Sequence, residues 1–183
     1  MIPTEDQILR MWDTYDLPQQ KRIHVRLVAR VAMKLAERII RNDTSVDINK
    51  PLLYASAMLH DIDKNVPKLS GEQHPDAGVR VLREVHMPEV ASVIKTHALH
   101  MILNPDNAPK SIEEKILFIA DKMVKYEIIS IDKRFALWRS EENSPEMKRI
   151  LDESYPKVKA LEEEILTLCG LQKDDVATIV KQV

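Results

Sequence analysis

The chain has 183 residues, a formal net charge of −2 and three widely separated glycines, Gly71, Gly78 and Gly170. A glycine loop that cradles phosphate needs two glycines close together, so the dinucleotide and P-loop fingerprints are excluded. The lone Cys169 excludes a disulfide framework, a thiolate zinc ribbon and a Cys-ligated iron–sulfur cluster.

Helical periodicity dominates from the first residues. Thr4, with Gln7 three positions on, reads as a capping box for a helix to about Asp16. Pro18 opens a long helix to about Asn42, with Leu27, Val28, Val31, Leu35 and Ile39 on one face. After a polar loop, a helix from about Asp47 to Asp61 carries Pro51 in its first turn. A loop from Asp63 to Gln73 follows. Pro75 and Pro88 each start a helix, and a polar loop runs from Asn104 to Lys110. Ser111 and Glu114 have the spacing of a second capping box. A weaker helix covers Ile129 to Arg139. Ser144-Pro145 begins a long helix to Cys169, capped by Gly170 and expected to kink or break at Pro156. A last short helix is expected from Asp174 to Gln182. The reading is a single all-α domain, 1–183, built as a compact bundle of seven to nine helices.

Other classes are set aside by composition. There is no excess of basic charge to hold a polyanion, so no nucleic acid partner is expected. No apolar run approaches the ~20 residues of a membrane span, and Met1–Asp6 lacks a signal-peptide pattern. A cytoplasmic protein without a membrane partner is the expectation.

Polar residues interrupt the apolar faces at chosen places. His24 shares the face of Leu27, Val28 and Val31. His60 extends Leu53 and Ala57, with Asp61 beside it. His74 precedes Pro75 and its helix, His97 extends Val90, Val93 and Ile94, and Asp121 extends Leu117. A single inward histidine is most simply a core histidine bonded to a backbone carbonyl. A buried Asp costs several kcal/mol unless it is paired. Six such groups in one small domain are economical if they share a cation, and imidazole with carboxylate suits one or two divalent transition metals (Fe, Mn, Co, Ni or Zn), with Mg as a further candidate. The alternative is a helical scaffold whose histidines are structural.

The ordered set His24, then "LLYASAMLHDIDK" with the His60-Asp61 doublet, then "ILFIADK" with Asp121, resembles the HD-domain superfamily of metal-dependent phosphohydrolases. "HPDAG" with His74 and "KTHALH" with His97 fall between, and make the chain similar to members with dinuclear centres. The resemblance implies a metal-binding core over 18–126 and a C-terminal helical extension, 127–183, that completes the bundle. It implies a first ion on His24, His60, Asp61 and Asp121, with Asp61 bridging to a second ion on His74 and His97. It also implies hydrolysis of a nucleotide-like phosphoester or phosphoanhydride by a metal-activated hydroxide, with Asp61 and Lys64 catalytic and Lys64 meeting substrate phosphate. Many members carry Gly where this chain has Asp63, which adds a carboxylate near the site. His100 is a candidate metal or substrate contact. Lys122, Lys125, Lys133 and Arg134 read as a solvated basic face, with Lys125 and Arg134 as candidate phosphate contacts. Trp12 and Trp138 could stack a base, but core or interface packing is the simpler reading. The helix from Pro145 is a candidate homodimer face. A metal- and nucleotide-binding regulatory module without turnover is the alternative function.

Overall fold

The computed structural model describes residues 1–171. Among the described residues there are eight α-helices, two 3-10 turns and no strand beyond an isolated bridge between Val124 and Ile128. The helices are α1 (Glu5–Thr14), α2 (Gln19–Asn42), α3 (Lys50–Leu59), α4 (Asp76–Glu84), α5 (Pro88–Lys95), α6 (Ile112–Lys122), α7 (Ile131–Glu141) and α8 (Pro145–Leu168). The 3-10 turns are Ile62–Asn65 and Leu99–Leu103. The expected helix from Asp174 to Gln182 lies outside the described residues.

Both capping boxes form. Thr4 and Gln7 close the start of α1, and Ser111 and Glu114 close the start of α6. The third helix starts later than its sequence suggests, because the Asn49 side chain accepts the Leu52 N–H and caps it there. That helix also ends sooner, at Leu59, so His60 and Asp61 stand just past its C-terminus. Pro156 does not break α8, which runs through it. An interior proline costs about 3 kcal/mol. Burial of Leu151, Val158, Leu161 and Ile165 on both sides of it holds the helix together. The end of α8 needs glycine. Gly170 has φ +66°, its N–H bonds to Thr167 O and the Leu171 N–H bonds to Leu166 O, as in a Schellman closure. A Cβ there would also lie 2.6 Å from Asn42 Oδ1.

The long α2 is the spine, packed against α3 and α6, with α5 behind α3 and α4 on α5. Its inward stripe of Val25, Val28, Val31, Ala32, Leu35 and Ile39 is buried. Trp12 anchors α1 by donating its indole N–H to Met58 O at 2.9 Å, fully buried. At the other end, α8 packs on α6, α7 and the turn Leu99–Leu103. The core is aliphatic around Trp12, Phe118 and Phe135. This packing turns the C-terminal ends of α3, α5 and α6 and the first turns of α2 toward one another.

Candidate metal centre

Five segments bring His24, His60, Asp61, His74, His97 and Asp121 together, as the sequence implies. His24 projects from the second turn of α2. His60 and Asp61 follow α3, His97 lies two residues past α5, and Asp121 is in the last turn of α6. His74 comes from the loop before α4. Three helix C-termini thus point at the cluster. Each carries roughly half a negative charge, which favours a cation. His60, Asp61 and His97 are buried, and His24 is 7% exposed.

The distances describe a continuous chain of donors. His24 Nε2 lies 3.0 Å from Asp121 Oδ1, and His60 Nε2 lies 3.5 Å from the same oxygen. Both imidazoles stand 4.0 Å from Asp61 Oδ2. His74 Nε2 is 3.6 Å from Asp61 Oδ1. Ligand atoms fall into three compact groups, His24–His60–Asp121, His60–Asp61–His97 and Asp61–Asp63–His74, each within 4.8 Å. Asp61 belongs to two of them, a bridging position.

The backbone sets the tautomers. His60 Nδ1 donates to Ala57 O at 2.8 Å and His97 Nδ1 donates to Ile94 O at 2.5 Å. A carbonyl only accepts, so each Nδ1 carries a proton, and in the neutral ring each Nε2 presents its lone pair to the site. His74 Nδ1 donates to Asp63, whose two oxygens are both at 2.9 Å. Asp63 is 2% exposed. The Asp63 carboxylate therefore orients His74 from behind.

Two observations show that these residues fit a cation. His60 Nε2 is buried and has no hydrogen-bond partner. His74 Nε2 and His97 Nε2 face each other at 3.0 Å, a contact that calls for a positive charge, either a proton shared between the rings or a cation beside them. A helical scaffold with purely structural histidines would not leave the His60 atom unpaired.

Lysines supply counter-charge. Burial would raise the Asp61 carboxyl, but His60, Lys64 and Lys21 together hold it well below the usual range. Lys21 Nζ is 2.9 Å from one Asp61 oxygen and Lys64 Nζ is 3.0 Å from the other. Burial opposes the charge on Asp121 too, and Lys122, the hydrogen bond with His24 and the neighbouring His60 overcome it, leaving that carboxyl well below its ordinary value. Burial and the neighbouring His60 and His74 hold the His97 imidazole well below its usual pKa.

One reading of the basic stretch is corrected. Lys122 is 2% exposed, not part of a solvated face. Its ammonium lies 2.8 Å from Asp121 Oδ2, donates to His97 O and sits 4.1 Å from the centre of the Phe118 ring. The apolar run before Asp121 buries that end of α6, and Lys122 goes with it. Lys21 was not singled out in the sequence, although it lies one turn before His24 on α2.

The cluster floors a cavity of about 500 Å³, within the ~300–1,000 Å³ of small-ligand pockets. Lys21, Lys64, His100, Arg134 and Trp138 also line it. His100 is exposed on the turn Leu99–Leu103. Lys125 pairs with Glu141 and lines an adjoining groove of about 200 Å³ instead. Trp12 is core, and His86 is exposed.

An all-α bundle with histidines and aspartates converging at helix ends over an open cavity defines a candidate metal-site protein. The family model of the HD domain matches residues 22–125, and the chain belongs to that family. The chain is similar to the tRNA (cytidine(56)-2′-O)-methyltransferase of Picrophilus torridus, 27% identical over 186 residues that cover 96% of this chain and 50% of that enzyme. It thus spans about half the length of that relative. No solved structure matches. Among the described residues no helix is long and apolar enough to cross a membrane.

Proposed function

We propose that the chain is a metal-dependent phosphohydrolase acting on a nucleotide-like phosphoester or phosphoanhydride. The observation that carries this is the orphaned His60 Nε2, next to the facing His74 and His97 Nε2 atoms and beside a cavity edged with lysines. His24, His60, Asp61 and Asp121 would hold one divalent ion, and Asp61 with His74 and His97 a second. Such ions supply a nucleophilic water at neutral pH and counter-charge for phosphate oxygens.

The chain's own residues do the rest. Lys21 and Lys64 bracket Asp61 with partly exposed side chains, so either ammonium can turn to a phosphate without leaving the site. Arg134 lines the same cavity, with its guanidinium against the Trp138 ring. Lys122 holds Asp121 in place, and Asp63 holds His74. The chemistry requires no covalent nucleophile, which agrees with Cys169 lying buried against Leu35 O, far along the chain.

The alternative is a metal- and nucleotide-binding regulatory module without turnover. One observation favours it: the chain aligns over 96% of its length with half of an enzyme named for methyl transfer, so the matched half of that relative belongs to a protein named for another activity. Phosphomonoesters, cyclic and linear phosphodiesters and dinucleoside polyphosphates, offered with Mn, Fe, Co, Ni or Mg, separate the two. Release of phosphate or a mononucleotide supports the hydrolase. Nucleotide and metal binding with no product supports the module. Asp61→Ala is expected to lose metal and activity together. Lys64→Ala is expected to keep metal and lose about 100-fold in kcat, as for removal of one charge-stabilising donor; full activity in that variant refutes its role.

A further inference from the structure

Resting on the phosphohydrolase reading, we propose that the nucleobase of the substrate is held in an apolar slot between α7 and the start of α8, with Trp138 as the wall that determines specificity. The slot has a volume of about 290 Å³ and is lined by Leu99, Trp138, Glu141, Glu142, Met147 and Leu151. It is continuous with the metal cavity, since Leu99, Trp138 and Met147 line both.

Charge and polarity are ordered along this path. At the metal end stand Lys21 and Lys64. Next comes Arg134, which lines the metal cavity but not the slot. Its guanidinium carbon lies 4.5 Å from the Trp138 ring centre, and its Nε is buried with no hydrogen-bond partner. Beyond Trp138 the lining is apolar apart from Glu141, which pairs with Lys125 through one oxygen, and Glu142, which accepts the Ser144 N–H through one oxygen. Each keeps a second oxygen that can accept from the exocyclic N–H of a flat ring, and the slot itself is lined by no cation for a phosphate. Cation, then aromatic wall, then apolar slot with carboxylate acceptors follows the order phosphate, sugar, base of a nucleotide. The volume suits one ring system and is too small for a folded partner.

Trp138 is built as a wall rather than sealed as core. It is half-buried and braced edge-on by Phe135 at 5.2 Å, and Met147 opposite is 39% exposed. All the slot residues except Leu99 lie beyond residue 125, outside the family match, so base selection belongs to what this chain adds to the shared core.

The test uses the full chain loaded with Mn, adenosine 5′-monophosphate and ribose 5-phosphate. The preference, as the ratio of kcat/KM for the two, is expected to reach about 5- to 150-fold, the worth of one base stacked on an aromatic ring. Trp138→Ala is expected to bring the ratio close to one, Trp138→Phe to retain most of it, and Met147→Glu, at an exposed position, to lower it without touching the wall. Independently of turnover, adenosine 5′-monophosphate is expected to quench the tryptophan fluorescence of Trp12→Phe protein and not that of Trp138→Phe protein. Absence of hydrolysis with that quench intact supports the slot and removes only the phosphohydrolase reading. An unchanged ratio in both Trp138→Ala and Met147→Glu, or no quench in Trp12→Phe protein, overturns the proposal.

Discussion

Asp63→Ala isolates the contribution of a residue that touches the site only through another. Asp63 places both oxygens 2.9 Å from His74 Nδ1, with a side chain only 1% exposed, while the His74 side chain is 28% exposed. Without the carboxylate, His74 loses the bond that sets its tautomer and ring orientation. Loss of such an outer partner typically costs 10- to 100-fold in metal affinity, or about 1.4–2.7 kcal/mol. The loss should be local, because the group His24–His60–Asp121 does not include Asp63. Calorimetric titration of chelator-stripped protein with Co or Mn is therefore expected to show the weaker binding step reduced and the tighter one retained. Asp63→Asn keeps an acceptor for His74 and is expected to fall between. The reasoning is refuted if Asp63→Ala binds metal within twofold of the native protein at every step, or if both steps weaken equally while the stripped protein melts at its native temperature.

Lys122→Met removes a buried ammonium and leaves Asp121 and the His97 carbonyl without it. Breaking a buried pair costs about 3–5 kcal/mol, so urea unfolding of stripped protein should show a loss in that range, and a loss under 1 kcal/mol counts against the pairing. The carboxyls of Asp61 and Asp121 lie well below their unfolded value of 3.8. Their contribution to stability is therefore present above pH 3.8 and lost as pH falls through the folded values. Stripped protein should show a melting temperature that drops with acid below that point, more gently in Asp61→Asn; equal slopes would contradict the assignment. Gly78 lies in α4 where a Cβ would come 3.3 Å from Ile94 and 3.5 Å from the Asp63 Cβ. Gly78→Val should overpack this contact, destabilise by about 1–3 kcal/mol and weaken metal binding through Asp63, whereas native stability and affinity would show the contact to be slack.

Much of the fold was legible because helix signals are local. The boxes Thr4–Gln7 and Ser111–Glu114, the Ser144 cap and Gly170 each act within one or two turns, and all form. Where the reading slipped, a nearby competitor won. Asn49 captured the start of α3, and the chain beyond Leu59 tightened into a 3-10 turn that carries Asp63 and Lys64 out of helical register. Pro156 stayed in a helix because apolar burial on either side outweighs one lost bond.

Five of the six donors were identifiable one by one, since each extends or interrupts an apolar face and burial of an unpaired polar group is costly, and His74 stands just ahead of the apolar face that begins at Ala77. Periodicity states only which side of its own helix a residue occupies. Whether sides from five segments meet is decided by how α2, α3, α5 and α6 pack, which no single segment encodes. That packing made Asp63 the support of His74, drew Lys122 into the interior, set Lys21 against Asp61 and placed Trp138 between a cationic cavity and an apolar slot. The sequence alone determined an all-α chain with His24, His60, Asp61, His74, His97 and Asp121 turned inward; the tertiary structure alone decided which atoms face which, because lone pairs and charges are oriented by neighbours distant in sequence.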